Sequence, residues 1–316
     1  MLFADAELSA VQTLLQYVIL GLTKGSLFAL IALGYTMVYG IVELINFAHG
    51  DLFMLGSFLA LTILGLFGLT DASADTGTIV LALVVCFVAC PIFCAFLNIS
   101  VDRIVYKPLR TAPKLAPLVS AIGVGYIFMN IGLFWGGSQD VNFPNLVPEK
   151  NLLPDDMGLR FTLKDAMVIG TTVPLMIALT IFVKFTPLGK AMRATAQNPI
   201  AAQLMGINTE RVIAATFGIG GSLAGAASLI YGLSINTISY QIGFQNGLYA
   251  FTAAVLGGIG NIPGAVLGGL IIGLVNSLGS AYIGERWTNA LVFAILIVIL
   301  VFRPSGLLGS RTREKV

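Results

Sequence analysis

Three polar residues stand together in an otherwise apolar stretch, INFAHGDLFMLG (residues 45–56): Asn46, His49 and Asp51, with Gly50 between the last two. His49 is the only histidine in 316 residues. A histidine beside an aspartate suits a general base, a metal ligand or a proton relay, because imidazole titrates near neutral pH. Each of these roles needs partners. Nucleophilic catalysis wants a Ser or Cys within reach, and the chain has neither a G-x-S-x-G turn nor a cysteine cluster near His49, so no enzyme is expected. A relay is better founded, since an ionisable group within a membrane span is functional by default. The plainer role is structural. Asn46, His49 and Asp51 would satisfy backbone groups where one helix stops, and Asp51 would favour the start of the next. Such a break would also border a pathway. Cys86, Cys90 and Cys94 lie four apart and share one helix face; free cysteines of this kind pack as small apolar residues, and no disulfide framework is implied.

The elements that position these residues are read from composition. The chain is 57% hydrophobic and 10% charged, against roughly 25% charged residues in soluble domains. Apolar runs recur at 52–69, 78–101, 115–137, 165–183, 212–233, 262–280 and 288–302. None alternates as a barrel strand would. An all-α polytopic membrane protein with roughly 8–10 spans follows, some of them interrupted, since a crossing takes about 20 apolar residues. The start, MLFADAELSA, carries Asp5 and Glu7 and no base and does not read as a cleavable signal.

Most of the 17 Lys and Arg fall in three segments: Arg103, Lys107, Arg110 and Lys114; Lys184, Lys190, Arg193 and Arg211; Arg303, Arg311, Arg313 and Lys315. Their acids are Asp102, Glu210 and Glu314. The positive-inside rule makes all three cytoplasmic. Residues 70–77, with Asp71 and Asp75, and the mixed-charge loop 138–164, with Asp155 and Asp156, then lie outside. The N-terminus is expected outside and the C-terminus inside.

Two stretches read as interrupted. Residues 11–45 would make a helix of about 52 Å, too long for one crossing and short for two, so one crossing plus a bent or re-entrant piece is expected, with an inside N-terminus and two short crossings as the alternative; Lys24 would have to snorkel or line a polar cavity. In residues 247–274, Gly257, Gly258, Gly260, Asn261, Pro263 and Gly264 cluster and oppose a continuous helix. A break at membrane depth needs protein or water around it, and one interrupted segment in each half points to a transport path. Gly221/Gly225 and Gly269/Gly273 allow close helix approach, expected within one chain rather than at a dimer face.

The strongest local signal is FTPLGKAMRATAQNPIAAQLMGINTERVIAATFG (185–218). Asn198 suits an N-cap, Pro199 the first helical position and Gly206 the C′ position. Ala201, Ala202, Leu204 and Met205 give a short apolar face, fit for a partner's groove, and Asn208 or Thr209 could cap the next helix. This segment resembles the coupling segment of ABC importer permeases, Glu-Ala-Ala, three residues, then Gly. Here Ala201-Ala202-Gln203-Leu204-Met205-Gly206 matches, and Ile200 stands where Glu is expected. NFAHG (46–50), TPLGKAMRA (186–194), AAQLMGIN (201–208), AFTAAVLGGIGNIPGAVLGG (250–269) and FRPSGLLG (302–309) occur in order. Together they resemble the LivH-type permease of branched-chain amino-acid ABC importers, over roughly residues 12–309.

The resemblance implies one transmembrane permease domain over 1–316 in a bacterial inner membrane, with a cytoplasmic coupling segment at about 186–211 and a periplasmic loop at about 138–164. It implies a LivM-type partner permease, two cytoplasmic ABC ATPase subunits and a periplasmic substrate-binding protein delivering leucine, isoleucine or valine. Because ABC import needs no proton coupling, the resemblance argues against a relay at His49. Coupling would fall to Arg193, Asn198, Pro199, Ala201, Ala202, Leu204 and Gly206. The helix-break or pathway residues would be Asn46, His49, Gly50, Asp51, Gly257, Gly258, Gly260, Asn261 and Pro263. No G-x-x-x-x-G-K-[ST] is present, and GLTKGS at 21–26 has the wrong spacing, so ATP would be bound by partner subunits and no cofactor or nucleic acid by this chain. An amide or urea permease of the same family, or a secondary transporter, are the rival readings.

Overall fold

The computed structural model describes residues 9–69, 75–110, 112–113, 115–154 and 157–309. Asp5, Glu7, Asp71, Lys114, Asp155, Asp156, Arg311, Arg313, Glu314 and Lys315 lie outside the described residues. The helices in chain order are α1 (Ala10–Val42), α2 (His49–Leu66), α3 (Thr76–Val101), a π-helical turn (Asp102–Tyr106) running into α4 (Lys107–Leu109), α5 (Leu115–Gly136), α6 (Leu163–Phe185), α7 (Pro187–Gln197), α8 (Pro199–Leu204), α9 (Thr209–Ile235), α10 (Ile242–Gly257), α11 (Ile262–Tyr282) and α12 (Glu285–Phe302). Among the described residues eight helices are long and apolar enough to cross a membrane, with α3, the π turn and α4 counted as one. The chain is an all-α polytopic membrane protein.

Within the 11–45 stretch the helix is unbroken through Val42, contrary to the bent or re-entrant piece expected from its length. Helix α1 is continuous over 33 residues, about 50 Å. The excess emerges at its N-terminal end, where Gln12 donates to the Met157 carbonyl at 3.1 Å and Gln16 to that of Arg160 at 3.0 Å. Polar side chains thus meet the 138–162 loop instead of lipid. Ser9 caps this end in a reciprocal box with Gln12, and Glu43 closes the other in the left-handed region.

Glycine and alanine decide which helices meet. With lipid on the outside, close backbone approach replaces the hydrophobic drive. Helix α11 runs antiparallel along α1, with Gly269 against Ala29 and Gly273 against Gly25. Gly221 and Gly225 of α9 lie on the Cys94 and Cys90 carbonyls of α3. Both small-residue pairs therefore pack inside one chain, and the three cysteines are interior packing residues. Helices α1, α2 and α9 form the buried centre, while α3, α5, α6 and α12 turn most of their surface outward.

One end of the bundle collects the described basic segments. Lys107 pairs with Glu210 at 2.9 Å and Arg110 with Asp102. At the opposite end two short strands, β1 (Val141–Asn142) and β2 (Thr237–Ile238), pair antiparallel with Val141 opposite Ile238. There Lys164 pairs with Glu149 at 3.1 Å.

Candidate functional site

The segment 186–211, expected from the resemblance to couple, holds two helices, α7 and α8. Thr186 accepts from the Gly189 amide at 3.0 Å and caps α7, which begins at Pro187. Asn198 then accepts from the amides of Ile200 and Ala201, both at 3.0 Å, and Pro199 takes the first turn of α8. At the far end the Ile207 amide bonds the Ala202 carbonyl at 3.0 Å and the Gly206 amide bonds Gln203 at 2.9 Å. This is a Schellman closure, which needs a left-handed C′ residue, and Gly206 has φ +83°. Asn208 caps α9 through the Arg211 amide at 3.0 Å. Gln203 also donates to Thr209 at 2.8 Å, tying α8 to α9.

The fold turns one face of α8 outward. Ala202 is buried, whereas Ile200 is 70% exposed and Leu204 and Met205 are each 83% exposed. These three apolar side chains form an exposed patch on α8 rather than part of the core. Ala201 sits beside them, exposed. Arg193 does not join the patch; it donates back to the Val183 carbonyl at the end of α6. Helix α7 in turn packs on α1, α6 and α9.

Asn46, His49, Gly50 and Asp51 lie deep in the bundle; Asp51 stands in the first turn of α2, as expected, whereas no side-chain cap is made. The residue before α2 is Ala48, which makes no side-chain cap. Asn46 donates to Asn98 at 2.9 Å and accepts from the Tyr106 hydroxyl at 3.0 Å, while Asn98 donates to the Phe217 carbonyl at 2.7 Å. His49 is fully buried, edge-on to Tyr35 with ring centroids 4.8 Å apart. Neither of its nitrogens, nor Asp51 Oδ1, has a hydrogen-bonding partner among the described residues. Gly50 and Asp51 press against Gly243 of α10. Hydrogen bonds hold Asn46, whereas close packing holds His49, Gly50 and Asp51.

The second interruption lies at the basic end rather than at mid-depth. Gly258 (φ +101°) and Gly260 (φ +91°) turn the chain between α10 and α11, and Gly257 abuts Gly264 across the hairpin. Asn261 caps α11 through the Gly264 amide at 3.0 Å and donates to Leu308 at 2.7 Å; Pro263 sits in the first turn. The segment after α12 supplies the missing donors, Leu307 to Leu256 at 2.9 Å and Leu308 to Gly257 at 3.0 Å. This turn adjoins the last turns of α1: a Cβ placed on Gly40 would lie 2.9 Å from Gly260 Cα.

Lys24 lines a polar cavity of about 310 Å³ between α1, α9, α10, α11 and α12. Its ammonium faces Asn276 Oδ1 at 3.4 Å, and Glu285, Asn289 and Tyr249 complete the wall. Of this set the sequence singles out only Lys24. The others carry a signal of the same kind, isolated polar residues within or bordering apolar spans.

The family model described as "Branched-chain amino acid transport system / permease component" matches residues 17–300. The chain belongs to this permease family. The permease is 41% identical over 304 residues to the high-affinity branched-chain amino acid transport system permease protein LivH of Escherichia coli K12, covering 96% of this chain and 97% of that one. It is 40% identical over 307 residues to the corresponding protein BraD of Pseudomonas aeruginosa, covering 96% and 98%. A more distant relative, the ribose import permease protein RbsC of Haemophilus influenzae, is 28% identical over 48% of the permease and 51% of its own length. No solved structure matches the permease.

Proposed function

We propose that this chain is the LivH-type membrane subunit of an ATP-driven importer of branched-chain amino acids. The observation that carries the reading is the doubly capped helix α8, whose apolar face stands free on the basic end of a chain of this family. The positive-inside rule reads a basic end as cytoplasmic, which supports α8 facing an ATPase subunit, the start of α1 outside and the end of α12 inside. Two ABC ATPases supply the stroke, a LivM-type permease completes the membrane unit, and a periplasmic binding protein delivers leucine, isoleucine or valine. Motion of α8 would pass to α9 through Gln203–Thr209 and to α1 and α6 through α7.

Reconstituted vesicles test this. Leucine uptake should require the partner permease, the ATPases, the binding protein and ATP together. An ionophore that collapses proton and sodium gradients should leave the initial rate nearly unchanged. Gradient-driven uptake by this chain alone, without nucleotide, would overturn the proposal in favour of a secondary transporter.

A further inference from the structure

The cavity around Lys24 holds two opposite charges that do not neutralise each other. Lys24 projects from α1 and Glu285 from the first turn of α12, and among the described residues neither takes part in an ion pair. The Lys24 ammonium has only the long contact to Asn276. A cation inside an apolar span faces a partner or a water-filled cavity, and here the wall opposite carries the complementary acid.

The apolar lining stands in a fixed relation to that cation. Leu27 and Phe28 follow Lys24 at positions i+3 and i+4, the same face of α1 one turn further in. Phe28 packs against Tyr249 with ring centroids 5.1 Å apart, and the Tyr249 hydroxyl donates to Asn289. The cavity therefore offers a cation, amides and an acid, with the apolar Leu27 and Phe28 beside the cation on α1. About 310 Å³ is the low end for small-molecule sites, room for one small solute.

We infer that this cavity is a transient acceptor site for a zwitterionic amino acid, its carboxylate on Lys24 and Asn276, its ammonium on Glu285 and Asn289, and its side chain against Leu27 and Phe28. A simple anion would leave Glu285 opposed, a simple cation would leave Lys24 opposed, and a neutral sugar would satisfy neither. The inference rests on the proposed function and names the site where substrate leaves the binding protein. The cavity suits that handover because Lys24 lies nearer the N-terminal end of α1, opposite the basic end.

The test uses the assembled complex in detergent, without the binding protein, and a Ser280→Cys reporter on the cavity wall; the native cysteines are buried. Leucine should slow reaction of this cysteine with a methanethiosulfonate reagent by about fivefold or more, a difference of ~1 kcal/mol. The half-charged analogues 4-methylpentanoate and 3-methylbutylamine should slow it less than about twofold. Lys24→Gln and Glu285→Gln, each on the reporter background, should abolish protection, and Lys24→Arg should keep part of it. Uptake by the wild-type complex is measured in parallel. Normal leucine uptake with no protection, or equal protection by the two analogues, would overturn the site and leave the function standing. Failure of leucine uptake by the wild-type complex would instead strike the function itself.

Discussion

Asn46 and Asn98 share a 2.9 Å hydrogen bond inside the bundle, joining the chain just before α2 to the last turn of α3. Asn98 is wholly buried, and the same pair engages Tyr106 and the Phe217 carbonyl. Removing one member leaves buried polar groups without partners, at about 1–3 kcal/mol. Asn98→Leu should lower the thermal midpoint of the purified complex, and Asn46→Leu should do the same. The double variant should lose less than the sum, because the two act on one network. Strict additivity in a thermal-shift measurement would show that the bond carries no coupling.

Gly206 is constrained by backbone conformation and not by space. Its φ is +83°, and a Cβ there would meet nothing within 4 Å. Gly206→Val should therefore cost about 1–2 kcal/mol at this turn and misplace Leu204 and Met205. The expected result is a protein that still inserts but retains little ATPase on co-purification and little uptake. Gly206→Asn should be milder, since asparagine tolerates the left-handed region. Equal loss in both variants would point to a cause other than φ.

Leu204 tests the patch itself. Being 83% exposed, it contributes little to the fold, so Leu204→Asp should leave thermal stability within about 0.5 kcal/mol of wild type. ATPase association should fall sharply. Retention of the ATPase at wild-type levels would show that α8 is not the docking element.

His49 is held by its shape. Its side chain has no ion pair to Asp51 among the described residues, and its ring packs edge-on against Tyr35. His49→Phe should preserve assembly better than His49→Ala, which opens a cavity at the Tyr35 contact and costs about 2–4 kcal/mol. Uptake should vary little across the imidazole range near pH ~6.5. A steep pH optimum lost in a well-assembled His49→Phe protein would restore the relay.

Orientation is checked by labelling intact cells. Met205→Cys, on the basic end, should resist an impermeant thiol reagent, and Ser138→Cys, on the opposite loop, should react. Equal labelling of both would reverse or refute the assignment.

Local chemistry makes much of this protein legible in its sequence. The spans follow from apolar length, because lipid demands internally bonded helices of a set minimum length. The α8 caps are readable one by one, since Asn198, Pro199 and Gly206 act on backbone atoms within a few residues of themselves. The unbent α1 is not readable. Its length suggests a bend, and only the folded 138–162 loop, reaching Gln12 and Gln16, removes the need for one.

The roles of the buried polar residues belong to the tertiary structure. Asn46, His49 and Asp51 resemble a capping cluster because they are close in sequence, yet each faces a different partner: Asn98 and Tyr106, Tyr35, and Gly243. The cavity depends on Lys24 meeting Asn276, 252 positions away, which close glycine packing of α1 on α11 brings about. Hydrophobic length and backbone capping are short-range and additive along the chain, so the sequence alone determined the class, most of the spans and the capped helix α8. Which polar side chains share a cavity depends on how helices cross, and that is settled by packing between residues hundreds of positions apart.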